Sequence, residues 1–225
     1  MSSIERIPTG IPGLDEMIEG GIPVPSLILL AGDIGAGKAT FCTQFLCKGA
    51  AQSEPGLYFL IFGGPPEWEF RFASTYEFVK DCYFGSGLKY VDLRGAAEDA
   101  SMAEGVLGKI EQEIEVVQPK RIVIDKLSMM EDVLGNNYRH FLLKLASKIR
   151  ETKAVALVTG ESSPEVPYPP EIAHIADGII LLHNTEINMV RRRSLEILKM
   201  RGTAHPSGKH ALDISSKGLV VYPGL

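Results

Sequence analysis

Residues 27–40 read LILLAGDIGAGKAT, and this stretch decides the fold. Gly32, Gly37 and Lys38 have the spacing G-x-x-x-x-G-K, with an apolar strand pattern before them and a helical pattern after them. Glycines at such a turn allow successive backbone N–H groups to point at phosphate oxygens, and the helix start adds the positive end of its dipole. The stretch therefore predicts a phosphate-binding loop whose lysine contacts the β- and γ-phosphates of a nucleotide.

One residue departs from the usual form of this motif. The position after the lysine is normally Ser or Thr, whose hydroxyl binds Mg²⁺, but here it is Ala39. Thr40 comes next, and one step along a helix rotates a side chain by about 100°, away from the metal but within reach of the α-phosphate. The sequence predicts that ATP or ADP binds with only weak help from Mg²⁺. The residues expected around the nucleotide are Gly32, Asp33, Ile34, Gly35, Ala36, Gly37, Lys38, Ala39 and Thr40.

A second segment, residues 121–125 with the sequence RIVID, is an apolar strand that ends in an acid. This is the form of a Walker B segment, in which Asp125 would bind a metal ion weakly, through a water molecule. The pattern is common by itself and becomes more specific two βα units after a phosphate loop. Lys126 follows directly. Two interpretations of it stay open: it approaches the phosphates, or it points into solvent.

Apolar runs alternate with amphipathic stretches along most of the chain, which is typical of βαβ units with helices on both faces of a mostly parallel sheet. The predicted strands are residues 26–31, 57–62, 88–92, 121–125 and 154–159. The predicted helices are residues 38–51, 67–81, 102–117 and 137–151. Four prolines make residues 162–170 a predicted loop. Short strand patterns at 178–183, 195–200, 210–214 and 219–222 predict antiparallel hairpins at one edge. The predicted class is α/β, with a single domain over residues 1–225.

Composition excludes several classes of protein. Hydrophobic residues make up 45% and charged residues 23%, as in soluble globular proteins. The net charge of −5 argues against a surface that grips nucleic acid. No apolar run is long enough for a membrane span or resembles a signal peptide, so we expect a cytoplasmic protein without membrane partners. The three cysteines lack metal-ligand spacing, and Cys42 and Cys47 are expected in the core of one helix.

Five further segments complete a family pattern. They are residues 7–15 (IPTGIPGLD), 20–23 (GGIP), 175–180 (IADGII), 199–205 (KMRGTAH) and 213–223 (DISSKGLVVYP). With the two motifs above, they resemble the single-domain archaeal KaiC-like proteins of the RecA/RadA P-loop ATPase superfamily, over nearly the whole chain. The resemblance implies a RecA-like fold, ATP as the nucleotide and a homo-oligomeric ring, commonly a hexamer. The clock protein carries two such domains, so its role is not carried over.

The resemblance also implies a role for two cations near the C-terminus. In rings of this kind a K-x-R pair reaches the γ-phosphate held by the neighbouring subunit, and Lys199 and Arg201 occupy those positions. Residues two apart on a strand share a face, so both cations can point at one anion. The basic run of residues 191–193 (RRR) is interpreted as a solvated turn, with a phosphate or nucleic-acid patch as the alternative.

The departures from the family indicate impaired hydrolysis. Members usually carry one or two glutamates just after the second strand, where one polarises the attacking water, but Gly63 and Gly64 stand there. Glycine cannot accept a proton. Glu67 and Glu69 follow beyond two prolines and could compensate. Near Gly160 a polar sensor, commonly Gln, is absent or displaced.

Four functions remain open on these grounds. The first is an ATP-binding scaffold or regulator with little or no hydrolysis, whose protein partner the sequence does not name. The second is an active ATPase that uses displaced groups such as Glu67. The third is a DNA-binding recombinase paralogue, which the net charge disfavours. The fourth is a structural paralogue that binds no nucleotide and only completes a hetero-oligomer.

Overall fold

A computed structural model of the chain describes residues 4–79, 87–97, 102–163 and 165–224, so Cys82 and Pro164 lie outside the described residues. The helices are α1 (Leu14–Met17), α2 (Lys38–Ala50), α3 (Pro66–Ala73), α4 (Met102–Val117), α5 (Met130–Leu134), α6 (Tyr138–Glu151) and α7 (Pro170–Ile175). The strands are β1 (Arg6–Ile7), β2 (Ile22–Pro23), β3 (Ser26–Gly32), β4 (Gly56–Leu60), β5 (Leu88–Asp92), β6 (Arg121–Asp125), β7 (Val155–Glu161), β8 (Gly178–Ile187), β9 (Val190–Met200), β10 (Lys209–Ser215) and β11 (Gly218–Tyr222).

The main sheet has nine strands in the order β11-β10-β9-β8-β3-β7-β6-β4-β5. The six strands from β8 to β5 pair in parallel, and β9, β10 and β11 add antiparallel pairs at the other edge. Strand β3 lies between β7 and β8. The α/β class with a mostly parallel sheet and antiparallel C-terminal hairpins is therefore confirmed.

Alternate residues of β3 enter two separate apolar cores because successive side chains on a strand point to opposite faces. Leu27 and Leu29 pack in the core formed with α4 and α6, whereas Ile28 and Leu30 pack in the core formed with α1 and α2. All four are fully buried, which explains the continuously apolar sequence of this strand. Helices thus cover both faces of the strand that carries the phosphate loop.

The two cysteines predicted in the core lie there. Cys42 and Cys47 are buried in α2, and burial raises the pKa of both thiols, that of Cys47 to about 12. They are therefore protonated at neutral pH and serve as small apolar residues.

Among the described residues, no helix has both the length and the apolar character that crossing a membrane requires.

Two local predictions are wrong. The helix expected over residues 67–81 ends at Ala73. The chain then turns to the β10–β11 hairpin, where the backbone N–H of Glu77 donates to the carbonyl of Ser216 at 2.9 Å. Residues 80–81 lie outside the described range. The basic run 191–193 is part of strand β9 and not of a turn. Strand β8 continues to Ile187, and the turn falls at Asn188 and Met189, both with positive φ.

Arg121 is a buried charge at the start of β6. Its side chain is fully buried, and its guanidinium pairs with Glu54 at 2.8 Å. It also donates to the carbonyls of Pro8 at 2.7 Å and Phe45 at 3.0 Å, and it lies over the Phe45 ring. One side chain thus satisfies groups on the N-terminal segment and on α2.

We predict that Arg121→Ala lowers the free energy of unfolding by about 3–5 kcal/mol, because removing one member of a buried, hydrogen-bonded pair leaves its partners unsatisfied. Denaturant titration measures the change. Lys153→Ala, an exposed lysine beside β7, is the matched control and should stay within about 0.5 kcal/mol of the wild type. A loss below about 1 kcal/mol for Arg121→Ala would contradict this role.

Candidate phosphate-binding site

The predicted loop opens on a pocket at the carboxyl edge of the parallel strands. Strands β3, β6 and β7 end there at Gly32, Asp125 and Glu161. The pocket has a volume of about 410 Å³. Its lining residues are Asp33, Ile34, Gly35, Gly37, Lys38, Ala39, Thr40, Tyr76, Asp125, Lys126, Ser128, Thr159, Gly160, Glu161, Arg193 and Ile214. The two segments predicted from sequence are therefore brought together.

The loop has a conformation that its glycines make available. Gly35 and Gly37 have φ values of 75° and 109°, which L side chains rarely adopt. A Cβ atom on Gly37 would also lie 2.5 Å from Cδ1 of Ile214. Helix α2 begins at the next residue, so its free first-turn N–H groups face the pocket. This is the cradle that the sequence predicts for phosphate oxygens.

Lys38 folds back over the loop. Its Nζ donates to the carbonyls of Gly32 at 2.6 Å and Asp33 at 3.2 Å. Burial lowers the pKa of this ammonium, and the nearby carboxylates, that of Glu161 foremost, oppose the shift. A phosphate chain in the loop would supply the negative charge that favours the ammonium form.

The residues that could hold a metal ion are few. Ala39 offers no oxygen ligand from its side chain, and Oδ1 of Asp125 accepts hydrogen bonds from the Thr159 hydroxyl at 2.6 Å and the Lys126 N–H at 3.0 Å. Among the described residues no three His, Cys, Asp or Glu side chains converge as a metal site. Ala39 therefore removes the side-chain oxygen that this motif normally offers to Mg²⁺, whereas the glycine cradle and Lys38 remain suited to a phosphate chain.

Thr40 is engaged by a residue that sequence reasoning missed. Its hydroxyl and that of Tyr76 are 2.9 Å apart, and the Tyr76 ring stacks with Phe78. Tyr76 follows the shortened helix α3, so the incorrect helix boundary hid it. Arg193 was missed for a similar reason: on strand β9, and not in a turn, its Nε donates to the carbonyl of Gly35 at 3.0 Å.

The glycines at the expected glutamate positions lie beside a lysine. Gly63 has a φ of 123°, and a Cβ atom on it would lie 3.6 Å from Nζ of Lys126. A Cβ on Gly64 would lie 3.1 Å from the ring of Trp68, which is largely exposed. The sequence left open whether Lys126 points into solvent or at the phosphates. It lines the pocket.

The two acids beyond the glycines differ in their surroundings. Glu67 is exposed, whereas Glu69 is half-buried. Burial raises the pKa of Glu69, Asp125 raises it further, and Lys126 opposes the shift. Both residues that act on the pKa of Glu69 line the pocket, and Glu69 is the more buried of the two acids.

The segment around Gly160 carries polar groups on both sides of the glycine. The hydroxyl of Thr159 binds Asp125 at 2.6 Å, and Glu161 lines the pocket. A Cβ on Gly160 would lie 2.6 Å from the ring of Pro169. Position 160 itself thus has no room for a side chain, and the polar groups of this segment are those of Thr159 and Glu161.

Lys199 and Arg201 lie far from the pocket of their own chain. Nζ of Lys199 donates to the carbonyl of Ala176 at 2.5 Å, and Arg201 pairs with Asp177 at 3.0 Å. The carboxylate of Asp177 in turn accepts the N–H of Leu27 at the opposite end of β3. Five residues of strand, roughly 17 Å, separate this end from Gly32. The sequence predicts that both cations point at a phosphate bound by a neighbouring subunit. Within their own chain, neither cation reaches the phosphate loop.

The comparisons with known proteins agree with this geometry. A family model described as ATPase, KaiC matches residues 7–225. A UPF0273 protein of Pyrococcus furiosus is 31% identical over 98% of this chain and 95% of its own, and the circadian clock protein KaiC3 of Synechocystis is 30% identical over 98% of this chain and 46% of its own. A crystal structure of a KaiC-like protein from Pyrococcus horikoshii superposes with a TM-score of 0.87, at 31% identity, covering 98% of this chain and 100% of the other. The chain belongs to the KaiC ATPase family.

Proposed function

We propose that this protein binds ATP or ADP on residues 32–40 and hydrolyses ATP slowly or not at all, as a nucleotide-dependent scaffold or regulator made of one KaiC-type domain. One observation carries the proposal. The pocket combines an intact glycine cradle and Lys38 with Ala39, where a metal ligand would stand, and glycines occupy the expected general-base positions 63 and 64, of which Gly63 lies beside the pocket residue Lys126. The preference for ATP over GTP rests on the family.

Binding and hydrolysis depend on different groups in such a site. Backbone N–H groups and Lys38 interact with phosphate in the ground state, so they support binding without chemistry. Hydrolysis also needs a group that takes a proton from water, and general bases contribute roughly 10²–10⁴-fold to a rate. Gly63 and Gly64 supply none. The loss of the hydroxyl at Ala39 adds to this, although losses from groups that act together do not multiply.

A second function has one specific observation in its favour. Glu69 is half-buried, burial raises its pKa, and the pocket residues Asp125 and Lys126 also act on it, in opposite directions. A raised pKa brings a carboxylate nearer to the range in which it exchanges protons at neutral pH. A slow ATPase that uses Glu69 is therefore the alternative to a protein without hydrolysis.

The positions of Lys199 and Arg201 support an assembly in which subunits share a nucleotide. Both cations lie at the end of the sheet opposite the loop, so they can serve only the site of another subunit. Arg201 has 64% of its side chain exposed, which leaves it accessible to a neighbour despite its pair with Asp177. Cations provided in trans stabilise charge in phosphoryl transfer. We infer a homo-oligomeric ring, of which a hexamer is the expected size.

We predict that ATP and ADP bind the wild type with affinities that change less than about threefold when Mg²⁺ is replaced by EDTA, because Ala39 provides no metal ligand. Lys38→Ala should weaken binding roughly 10- to 100-fold, the scale of a charged hydrogen bond. Calorimetry measures both effects, with Lys144→Ala, an exposed lysine on α6, as the control. Equally weak binding by the wild type and Lys38→Ala would remove the claim.

We predict that steady-state phosphate release by the wild type is at least about 100-fold slower than in a KaiC-family ATPase with both glutamates. The combination Gly64→Glu with Ala39→Thr should accelerate it. Position 64 is the better choice, because Gly63 has positive φ and would strain a glutamate. A wild-type rate within a few-fold of that relative would refute the impairment. In that case Glu69→Gln should abolish release and Glu67→Gln should not.

We predict that the nucleotide-bound protein forms an oligomer larger than a dimer, as measured by multi-angle light scattering. The double variant Lys199→Ala with Arg201→Ala should assemble less in ATP, and Lys209→Ala, an exposed lysine on β10, should behave as the wild type. A strict monomer with nucleotide bound would contradict the ring, and a dimer would leave the trans role of the cations without support.

A further inference from the structure

Lys126 has a backbone conformation that the surrounding residues impose. Its φ and ψ are 63° and 35°, in the left-handed region that residues with a Cβ rarely adopt. Its backbone N–H donates to Oγ1 of Thr159 at 2.7 Å and to Oδ1 of Asp125 at 3.0 Å. Non-glycine residues in this region cluster at functional sites, where the rest of the structure fixes them. These two hydrogen bonds fix the backbone of Lys126 at the end of β6, and thereby the direction in which its side chain leaves the backbone.

The pocket contains three cations, and they differ in what they bind. Lys38 donates to the carbonyls of Gly32 and Asp33, and Arg193 donates through Nε to the carbonyl of Gly35. Nζ of Lys126, by contrast, makes no hydrogen bond or ion pair with any residue in the described part of the chain, although it attracts the carboxylate of Glu69 electrostatically. Its charge is therefore available to a ligand.

The ammonium group of Lys126 lies beside Gly63, which has no side chain to contact it. Its Nζ would lie 3.6 Å from a Cβ on Gly63. A glutamate at Gly63 would bring a carboxylate against this ammonium and neutralise it by pairing. Gly63, one of the two glycines at the expected glutamate positions, therefore leaves the charge of Lys126 without a carboxylate partner at that position. The pocket thus lacks the metal-binding hydroxyl at Ala39 and contains the positive charge of Lys126.

The position of Lys126 relative to the loop selects one end of the phosphate chain. Strand β6, which precedes Lys126, is separated from β3 by β7 alone, so the two strand ends are roughly 10 Å apart. The inner phosphates belong on the first turn of α2, beside Ala39 and Thr40. A triphosphate extending from there toward Asp125 brings its terminal group to the Lys126 side, where the ammonium would offset the repulsion from the carboxylates of Asp125 and Glu161.

We propose that the Lys126 ammonium replaces the magnesium ion as the counter-charge of the terminal phosphate, so that this protein binds nucleoside triphosphate without a divalent cation and in preference to the diphosphate. The inference rests on the proposed nucleotide binding. The inference identifies the nucleoside triphosphate as the ligand that the site selects. It gives Lys126 the role of positioning the terminal phosphate, which the diphosphate lacks.

The test is calorimetric titration with ATP and with ADP in EDTA. Lys126→Met, which keeps the length of the side chain and removes its charge, should weaken ATP binding roughly 10- to 100-fold, the scale of a charged hydrogen bond, and ADP binding less than about threefold. Lys144→Ala should leave both unchanged. Equal effects of Lys126→Met on ATP and ADP, or no effect on either, would overturn the inference.

A second variant tests the same charge without altering Lys126. Gly63→Glu should weaken ATP binding in EDTA by pairing with the ammonium, and the neutral control Gly63→Gln, which has the same backbone strain, should not. Equal behaviour of the two variants would count against the inference. Wild-type binding of ATP that is lost in EDTA would overturn it and leave nucleotide binding in place. Absence of binding with and without Mg²⁺ would overturn both the inference and the proposed function.

Discussion

The close approach of the phosphate loop to the C-terminal hairpins is the constraint on which the site depends. A Cβ atom on Gly32 would lie 2.2 Å from the carbonyl of Leu182 in β8, and one on Gly37 would lie 2.5 Å from Ile214 in β10. Neither position has room for a side chain. The parallel neighbour β8 and the antiparallel strand β10 therefore both pack directly against the segment between β3 and α2, and they leave its backbone little freedom to move.

From that fixed loop, the rest of the site separates into groups for binding and groups for chemistry. The cradle and Lys38 are complete, and their action needs no proton transfer. The groups that would orient water or a metal ion are replaced at Ala39, at residues 63–64 and at Gly160, where the ring of Pro169 takes up the space of a side chain. Ala39 and Gly160 line the same pocket, and Gly63 lies beside Lys126, which also lines it, so we interpret the replacements together as one change in function.

The sequence was sufficient for the fold and for the loop because both follow from local patterns. The strand over residues 88–92 and the helix over residues 102–117 have the predicted bounds, since apolar periodicity and short connections determine them. Tyr76 and Arg193 could not be found in this way. Their places in the pocket depend on contacts between distant segments, those of residue 77 with the β10–β11 hairpin and of β9 with the loop. Glu69, likewise, is distinguished from Glu67 only by burial.

The most direct test of the account is the ³¹P NMR spectrum of ATP bound to the wild-type protein in EDTA, followed over hours and then after addition of Mg²⁺. The account predicts resonances of intact, bound ATP that persist and shift little when the metal is added, because the protein supplies the counter-charge and lacks the base. Bound resonances that appear only with Mg²⁺, or that convert promptly to those of ADP and inorganic phosphate, would contradict it.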